Sequence, residues 1–325
     1  MPYDSNGNAS ITRNRAVTGQ TVQAAQVNTP FDDVQSMLSQ VLLRSGVAPM
    51  TGDLNMNGFR VVGASDGISP TDLATVGQIN AATLGYAGFI SPAFNLSNNS
   101  LDSVNDIDFP SGFVASEGGS IIIMNHVQGT AQLDVAFGAG NGGRFDASIS
   151  DGWWHCFVIG NGTTVSRGFS KSLNPTSQTN YPVGYSYYRR VGSIFRSGGS
   201  IIQFKQREDH FDFSSLILNR DSTVSQTSTL LGVSTPTGLV TQPKLSLTQQ
   251  QGSAGNIQTR ISSAGDSPIS VMVTTQPNEV ETSFVNGGIF TNTSSQIQFE
   301  VQFFSGSLFL NVISTKGWID NRGKA

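Results

Sequence analysis

Apolar residues in this chain recur at every second position over short runs, and each run ends in a cluster of glycine, asparagine or aspartate. Leu133, Val135 and Phe137 alternate with Gln132 and Asp134, and Ile297, Phe299 and Val301 alternate within 296–303. A period of two sends successive side chains to opposite faces of an extended strand, so these runs suit strands with one buried face. The runs 120–124 and 153–159 are largely apolar and read as strands, the second buried on both faces. Turn residues stand between the runs at 138–143, Asp151-Gly152 and Asn161-Gly162. Asn161-Gly162 is the strongest hairpin signal, because both residues tolerate positive φ. With 36 glycines and 20 phenylalanines, the chain is expected to be mainly β, with aromatic cores and tight turns.

A length of 325 residues accommodates two modest domains and a connecting piece. Charged residues make up only 12% and the formal net charge is -4, so no basic field would draw the chain to nucleic acid or anionic lipid. The single cysteine, Cys156, excludes an intrachain disulfide and a multi-cysteine metal cage, which leaves packing or assembly to supply stability. Residues 1–30 contain no apolar run of signal-peptide length, and nothing later approaches the roughly 18 apolar residues that cross a bilayer. Synthesis in the cytoplasm without a signal peptide, and no membrane insertion, are therefore expected.

Residues 1–28 are polar and carry no usable period, as in a segment that either stays disordered or is ordered by a partner. Thr29 and Pro30 read as an N-cap and first helical residue, with Asp32 and Asp33 suited to the positive end of a helix. Phe31, Val34, Leu38 and Val41 follow at intervals of three, four and three, the a/d spacing of a coiled coil, until Gly46. Fewer than three heptads also fit an ordinary amphipathic helix packed on a domain. Neither flank supplies a compact apolar domain for it to cover, which favours self-association.

Residues 49–76 place Met50, Leu54, Met56 and Val61 among Gly52, Gly58 and Gly63. So short a segment cannot enclose a core of its own, whereas several copies around one axis bury the same side chains, and methionine adapts to such an axis. A short helix over 70–84, capped by Ser69, and a hinge near 85–88 are expected next. The 49–76 segment resembles the Met-x-Gly-x-Leu-x-Met-x-Gly element of bacteriophage tail fibres, which a Pro and then Asp-Ala-Ala-Thr follow. Pro70, Asp72, Ala74 and Thr75 match, and Leu73 departs from the usual alanine.

Two further stretches are similar to phage tail-fibre and minor tail proteins. One is Gly152-Trp153-Trp154-His155 with Arg189-Arg190-Val191-Gly192-Ser193-Ile194; the other is Gly317-Trp318-Ile319-Asp320-Asn321-Arg322-Gly323. The resemblance implies a homotrimeric virion fibre: an anchoring segment over 1–46 docked on tail or neck proteins, and a trimeric neck over 47–88. Two antiparallel β-sandwiches, 89–221 and 222–325, would follow and face a host cell-surface glycan or protein. Phe31, Val34, Leu38, Val41, Met50, Leu54, Met56 and Val61 would form the trimer interface. A head or collar decoration fibre, or a glycan-degrading tailspike-like enzyme, are the alternatives.

No cofactor, metal or catalytic set is expected. Gly138, Gly140 and Gly143 have dinucleotide-loop spacing, but a strand follows where that site needs a helix. His155 and Cys156 are strand neighbours pointing to opposite faces, so they read as a half-buried histidine and a core cysteine rather than a dyad. The histidines at 126, 155 and 210 lack zinc spacing. Glu208 and Asp209 are adjacent and diverge, unlike a glycosidase pair. Asp102, Asp106 and Asp108 carry oxygen ligands but not the spacing of an EF-hand. One of Arg189 and Arg190 must face inward and needs a carboxylate, for which Asp151 is a candidate. Trp153 and Trp154 read as core, and Tyr181 and Tyr185 as candidate receptor contacts by ring stacking.

Overall fold

The computed structural model describes residues 18–21, 23–38, 56–59, 61–69, 71–75, 78, 87–117, 121–138 and 142–324. The chain divides into two units, Met1–Ser65 and Asp66–Ala325.

In the first unit one helix, α1, runs over Ala24–Leu38 with Pro30 inside it. The expected start at Thr29 is therefore five residues late. Ala24, Ala25 and Gln26 are strong helix formers and carry the helix across the proline, whose missing N–H forfeits one intrahelical bond. Asp32 and Asp33 consequently lie in mid-helix, not in its first turn.

The second unit opens on a polar knot. The Asp72 carboxylate accepts from the backbone N–H of Ile68 at 2.8 Å and of Ser69 at 2.9 Å. Thr75 and Gln78 bond each other's backbone N–H through their side chains, both at 3.1 Å, which is a capping box. Gln78 also bridges both backbone groups of Gly67. Residues 71–75 are not helical whereas Gln78 is, so the helix does not begin at Ser69. Most of the expected 70–84 helix lies outside the described residues.

Seventeen strands follow among the described residues. The first group comprises β1 Ser97–Asn98, β2 Asp106–Phe109, β3 Gly112–Ala115, β4 Ile123–His126, β5 Gly129–Gln132, β6 Gly143–Arg144, β7 Gly152–Gly160, β8 Val165–Ser170, β9 Tyr187–Ser197, β10 Ser200–Ile201, β11 Phe204–Arg207 and β12 His210–Asp221. The second comprises β13 Gln226–Gly232, β14 Gln242–Ser262, β15 Ile269–Thr274, β16 Val280–Asn286 and β17 Gln296–Ile319. Strands β10-β9-β7-β8-β6 form one sheet, β3 and β4 a second, and β15-β14-β17-β12-β11-β1-β2-β5 the path of a third, with β13 on β17 and β16 on β14.

Two large cores and a small third cluster of Phe145, Phe157 and Ile159 fill the unit. The first joins Trp154, Cys156 and Val158 of β7 and Val191 and Ile194 of β9 to Ile107 and Phe109 of β2 and Phe211 of β12, so the five-stranded sheet packs on part of the large one. The apolar reading of 153–159 is met by β7, whose residues from Trp153 onward are all buried. The second core joins Leu245, Leu247, Ile257 and Ile261 of β14 to Ile297, Phe299, Val301 and Ile313 of β17.

β14 and β17 run on through Gly252, Gly255 and Gly306, which act as bulges inside the ladder. A Cβ on Gly255 would run into the Ser305 carbonyl, and Gly306 holds φ +87. The bulges bend the β14–β17 pair so that side chains from its two halves meet. Gln249 donates to Thr274 Oγ1 at 2.6 Å and accepts from Thr259 Oγ1 at 2.7 Å, and Asn311 donates to Thr259 Oγ1 at 2.7 Å. This buried polar set satisfies itself, as low-dielectric surroundings demand. The line expected near residue 222 separates the two cores but not the sheet: β12 pairs with β17, and Trp318 of β17 belongs to the first core.

Candidate functional site

The residues that carry the family resemblance in the β region are far apart in sequence and meet at one place. β17 lies antiparallel to β12 with Trp318 opposite Phe211, and the two rings stack at 4.8 Å with 5° between planes. Trp153 of β7 stands edge-on to Trp318 at 5.0 Å. Gly317 is dictated by this closeness, since a Cβ there would run into the Phe211 carbonyl oxygen. Gly192 has the same role on β9, where a Cβ would sit 2.8 Å from Leu96 Cδ1 and 3.3 Å from the Phe211 ring.

Beyond Trp318 the chain curls over the β9 arginines. Arg190 forms a two-pronged pair with Asp320, Nη1 to Oδ2 at 2.6 Å and Nη2 to Oδ1 at 2.9 Å. Arg189 donates to the carbonyls of Arg322 at 2.8 Å and Gly88 at 3.1 Å, with Glu117 3.6 Å from its Nε. Arg322, in a left-handed conformation at φ +56, donates to Asp209 and to the Phe94 carbonyl. Both β9 arginines are thus buried, where one was expected to face outward. The partner is Asp320, and not Asp151, which instead pairs with Arg196 at 2.5 Å and accepts from Gly198 and Gly199. The available signal was an Asp and an Arg close together in the Gly317–Gly323 segment, beside Trp318 and Ile319.

Burial works against both charges of the pair, yet Arg190 outweighs it and holds Asp320 below the usual carboxylate range. Arg190 is likewise held above its ordinary value by Asp320 despite burial. His155 is fully buried rather than half-buried, with Nδ1 2.9 Å from Ser193 Oγ. Burial, helped by Arg190, brings its pKa down to about 3, so it is neutral at physiological pH. Burial pushes the Cys156 thiol up, which keeps it protonated and inert.

Two recesses flank this junction. One, of about 290 Å³, is lined by Glu117, Leu173, Arg189, Arg190, Leu239, Val240 and Asp320; the other, of about 300 Å³, by Asp209, Thr241, Gln242, Phe290 and Ile319, with Val240 and Asn321 common to both. The carboxylates here are engaged by guanidinium or ammonium groups, Asp209 also accepting from Lys324 at 2.7 Å. A third recess, of about 330 Å³, lies at the β2–β5 edge between Asn99, Leu101, Asp106, Thr130, Gln132 and Arg167. Asp106 was singled out in the sequence only beside Asp102 and Asp108. Burial and then Asp102 raise its pKa to about 6. Among the described residues, no group of three His, Cys, Asp or Glu side chains converges as metal ligands do.

Of the residues expected at a trimer interface, Phe31 and Val34 are 69% and 37% exposed on α1, and Val61 is 62% exposed. Met56 is partly buried. Leu38 ends α1 with its side chain undescribed, and Val41, Met50 and Leu54 lie outside the described residues. Tyr181 and Tyr185 pack against Phe145, Phe157 and Ile159. The Tyr181 ring meets Phe145 edge-on at 5.1 Å, and its buried hydroxyl has no partner. Comparison with known proteins finds no matching family model, no similar curated protein and no similar solved structure.

Proposed function

We propose that this chain is a homotrimeric bacteriophage virion fibre, fastened to tail or neck proteins through residues 1–46 and mediating host-surface adhesion through its β-region. It is read as non-enzymatic, made in the host cytoplasm and carried on the particle. The observation that carries this reading is the interlock of the resembling stretches. Trp153 packs on Trp318, Arg190 on Asp320 and Arg189 on the Arg322 carbonyl, so these stretches work together as one structural device.

The exposed apolar side chains before residue 87 add support. Phe31, Phe59, Val61, Val62, Ile68 and Leu73 are all solvent-facing in the single chain. A run of that kind is what association of copies would cover. The bent β14–β17 hairpin, whose halves share a core, is read as the distal β-sandwich, and the five-stranded sheet packed on β2, β11 and β12 as the proximal one.

Sedimentation velocity at micromolar concentration tests the assembly: a trimer is expected, and a monomer refutes it. Deleting residues 1–46 tests the anchor: the shortened protein should remain soluble and be missing from particles, and particles that still carry it would overturn the assignment.

A further inference from the structure

The recess at the β2–β5 edge has a composition that the interlock does not use. Asp106 lines the recess and is only 6% exposed, and its buried Oδ1 has no hydrogen-bond partner. Its other oxygen has only a long contact, 3.5 Å from Gln132 Nε2. A buried carboxylate oxygen without a donor is costly and rare in a folded protein, and points to a group that arrives from outside.

Arg167, which also lines the recess, is fixed by one bond, Nε to the Thr130 carbonyl at 2.9 Å. It is pressed against Gly129, where any Cβ would collide with its guanidinium. The remaining wall is rigid: Asn99 and Thr130 both donate to Asp108 Oδ1, at 2.8 and 2.7 Å, and Asn99 Oδ1 accepts from Leu101 and Asp102 N–H.

We propose that this recess binds a neutral saccharide through vicinal hydroxyls, one donating to Asp106 and its neighbour accepting from Arg167. A carboxylate only accepts and a guanidinium only donates, so a ligand that meets both must do both, as adjacent hydroxyls do. A cation would face the Arg167 charge and find a single lining carboxylate. An acidic sugar would face Asp106 with Asp102, Asp108 and Asp134 near it. Leu101, 96% exposed beside the polar wall, offers an apolar surface to the C–H face of a ring. The recess holds about 330 Å³, at the small end of ligand sites and suited to one or two sugar rings.

This inference rests on the reading of the chain as an adhesive fibre and names what one of its surfaces would hold. The test is saturation-transfer NMR and titration of the full chain with methyl glycosides of glucose, galactose and mannose, alongside deoxy analogues lacking one of two vicinal hydroxyls. At least one glycoside should bind with a Kd on the order of millimolar, and its deoxy analogue should not. Asp106→Asn should weaken binding about tenfold or more. Gly129→Ala, whose nearest conflict is with the Arg167 guanidinium, should displace that side chain and weaken binding comparably, with circular dichroism showing the same β signature as wild type. No binding by any glycoside, binding indifferent to both variants, or binding of Ca²⁺ without sugar would overturn the proposal. A trimer that binds no sugar sinks the recess and leaves the fibre, whereas a monomer that binds sugar does the reverse.

Discussion

Asp320→Ala should be among the most damaging single substitutions in the β-region. The carboxylate takes two bonds from Arg190, at 2.6 and 2.9 Å, and a third from the Arg322 backbone N–H at 2.8 Å. Both residues of the pair are at most 5% exposed, so truncation leaves a buried guanidinium and a backbone donor without an acceptor. Breaking a buried pair from one side costs about 3 to 5 kcal/mol. In a body of this size that corresponds to a fall in Tm of about 6 to 20 °C.

Urea unfolding followed by tryptophan fluorescence reads the loss, with Trp318 two residues away as the reporter. Replacing both partners, Arg190→Met with Asp320→Leu, should restore much of the stability, because the penalty lies in the orphaned charge and not in the missing attraction. The folded-state pKa of Asp320 is depressed, so its contribution is present above the ordinary carboxylate pKa and disappears as pH falls through the lower folded value. Wild type and Asp320→Ala should therefore converge in stability well below pH 4. A cost under about 1 kcal/mol at pH 7, or a double variant no better than the single one, would refute the reasoning.

His155, with its pKa at about 3, refuses a proton that the unfolded chain accepts below about 6.5. Unfolding free energy should then drop by up to about 1.4 kcal/mol per unit as pH falls from 6.5 toward 3, and His155→Gln should flatten that slope, with His126 supplying a residual one. Cys156 is fully buried with its thiol pushed up, so it should resist iodoacetamide in the native protein and react once the chain is unfolded; fast native labelling would contradict its placement. Gly255→Ala should destabilise by about 1 to 3 kcal/mol because its Cβ meets Ser305 backbone, whereas Gly232→Ala in β13 meets nothing within 4 Å and should be neutral within about 0.5 kcal/mol in the same urea assay.

Local features were legible where one residue type had one physical use. The β7 run from Trp153 was readable as doubly buried, and the Asn161-Gly162 turn does join β7 to β8, with Gly162 at φ +95. The role of the distal glycines was not legible, because a glycine that bulges a ladder and one that ends it look alike in sequence. What separates them is whether the strands on either side keep pairing, as β14 and β17 do past Gly252, Gly255 and Gly306. Pro30 misled in a similar way, since a proline that opens a helix and one carried inside it, as in α1, look alike in sequence.

The candidate sites were the least legible. Arg190 announced that it needed a counter-charge, but nothing local told Asp320 from Asp151, the nearer in sequence. The sequence by itself determined the mainly β class, the aromatic cores and the residues too constrained to be incidental. Only the tertiary structure decided that Gly152-Trp153, Arg189-Arg190 and the 317–323 segment are parts of one junction, and that Asp106 and Arg167 face a common recess. The reason is physical: periodicity and turn chemistry act over a few residues, whereas a buried charge is satisfied by whichever partner the sheet topology delivers, here 130 residues along the chain.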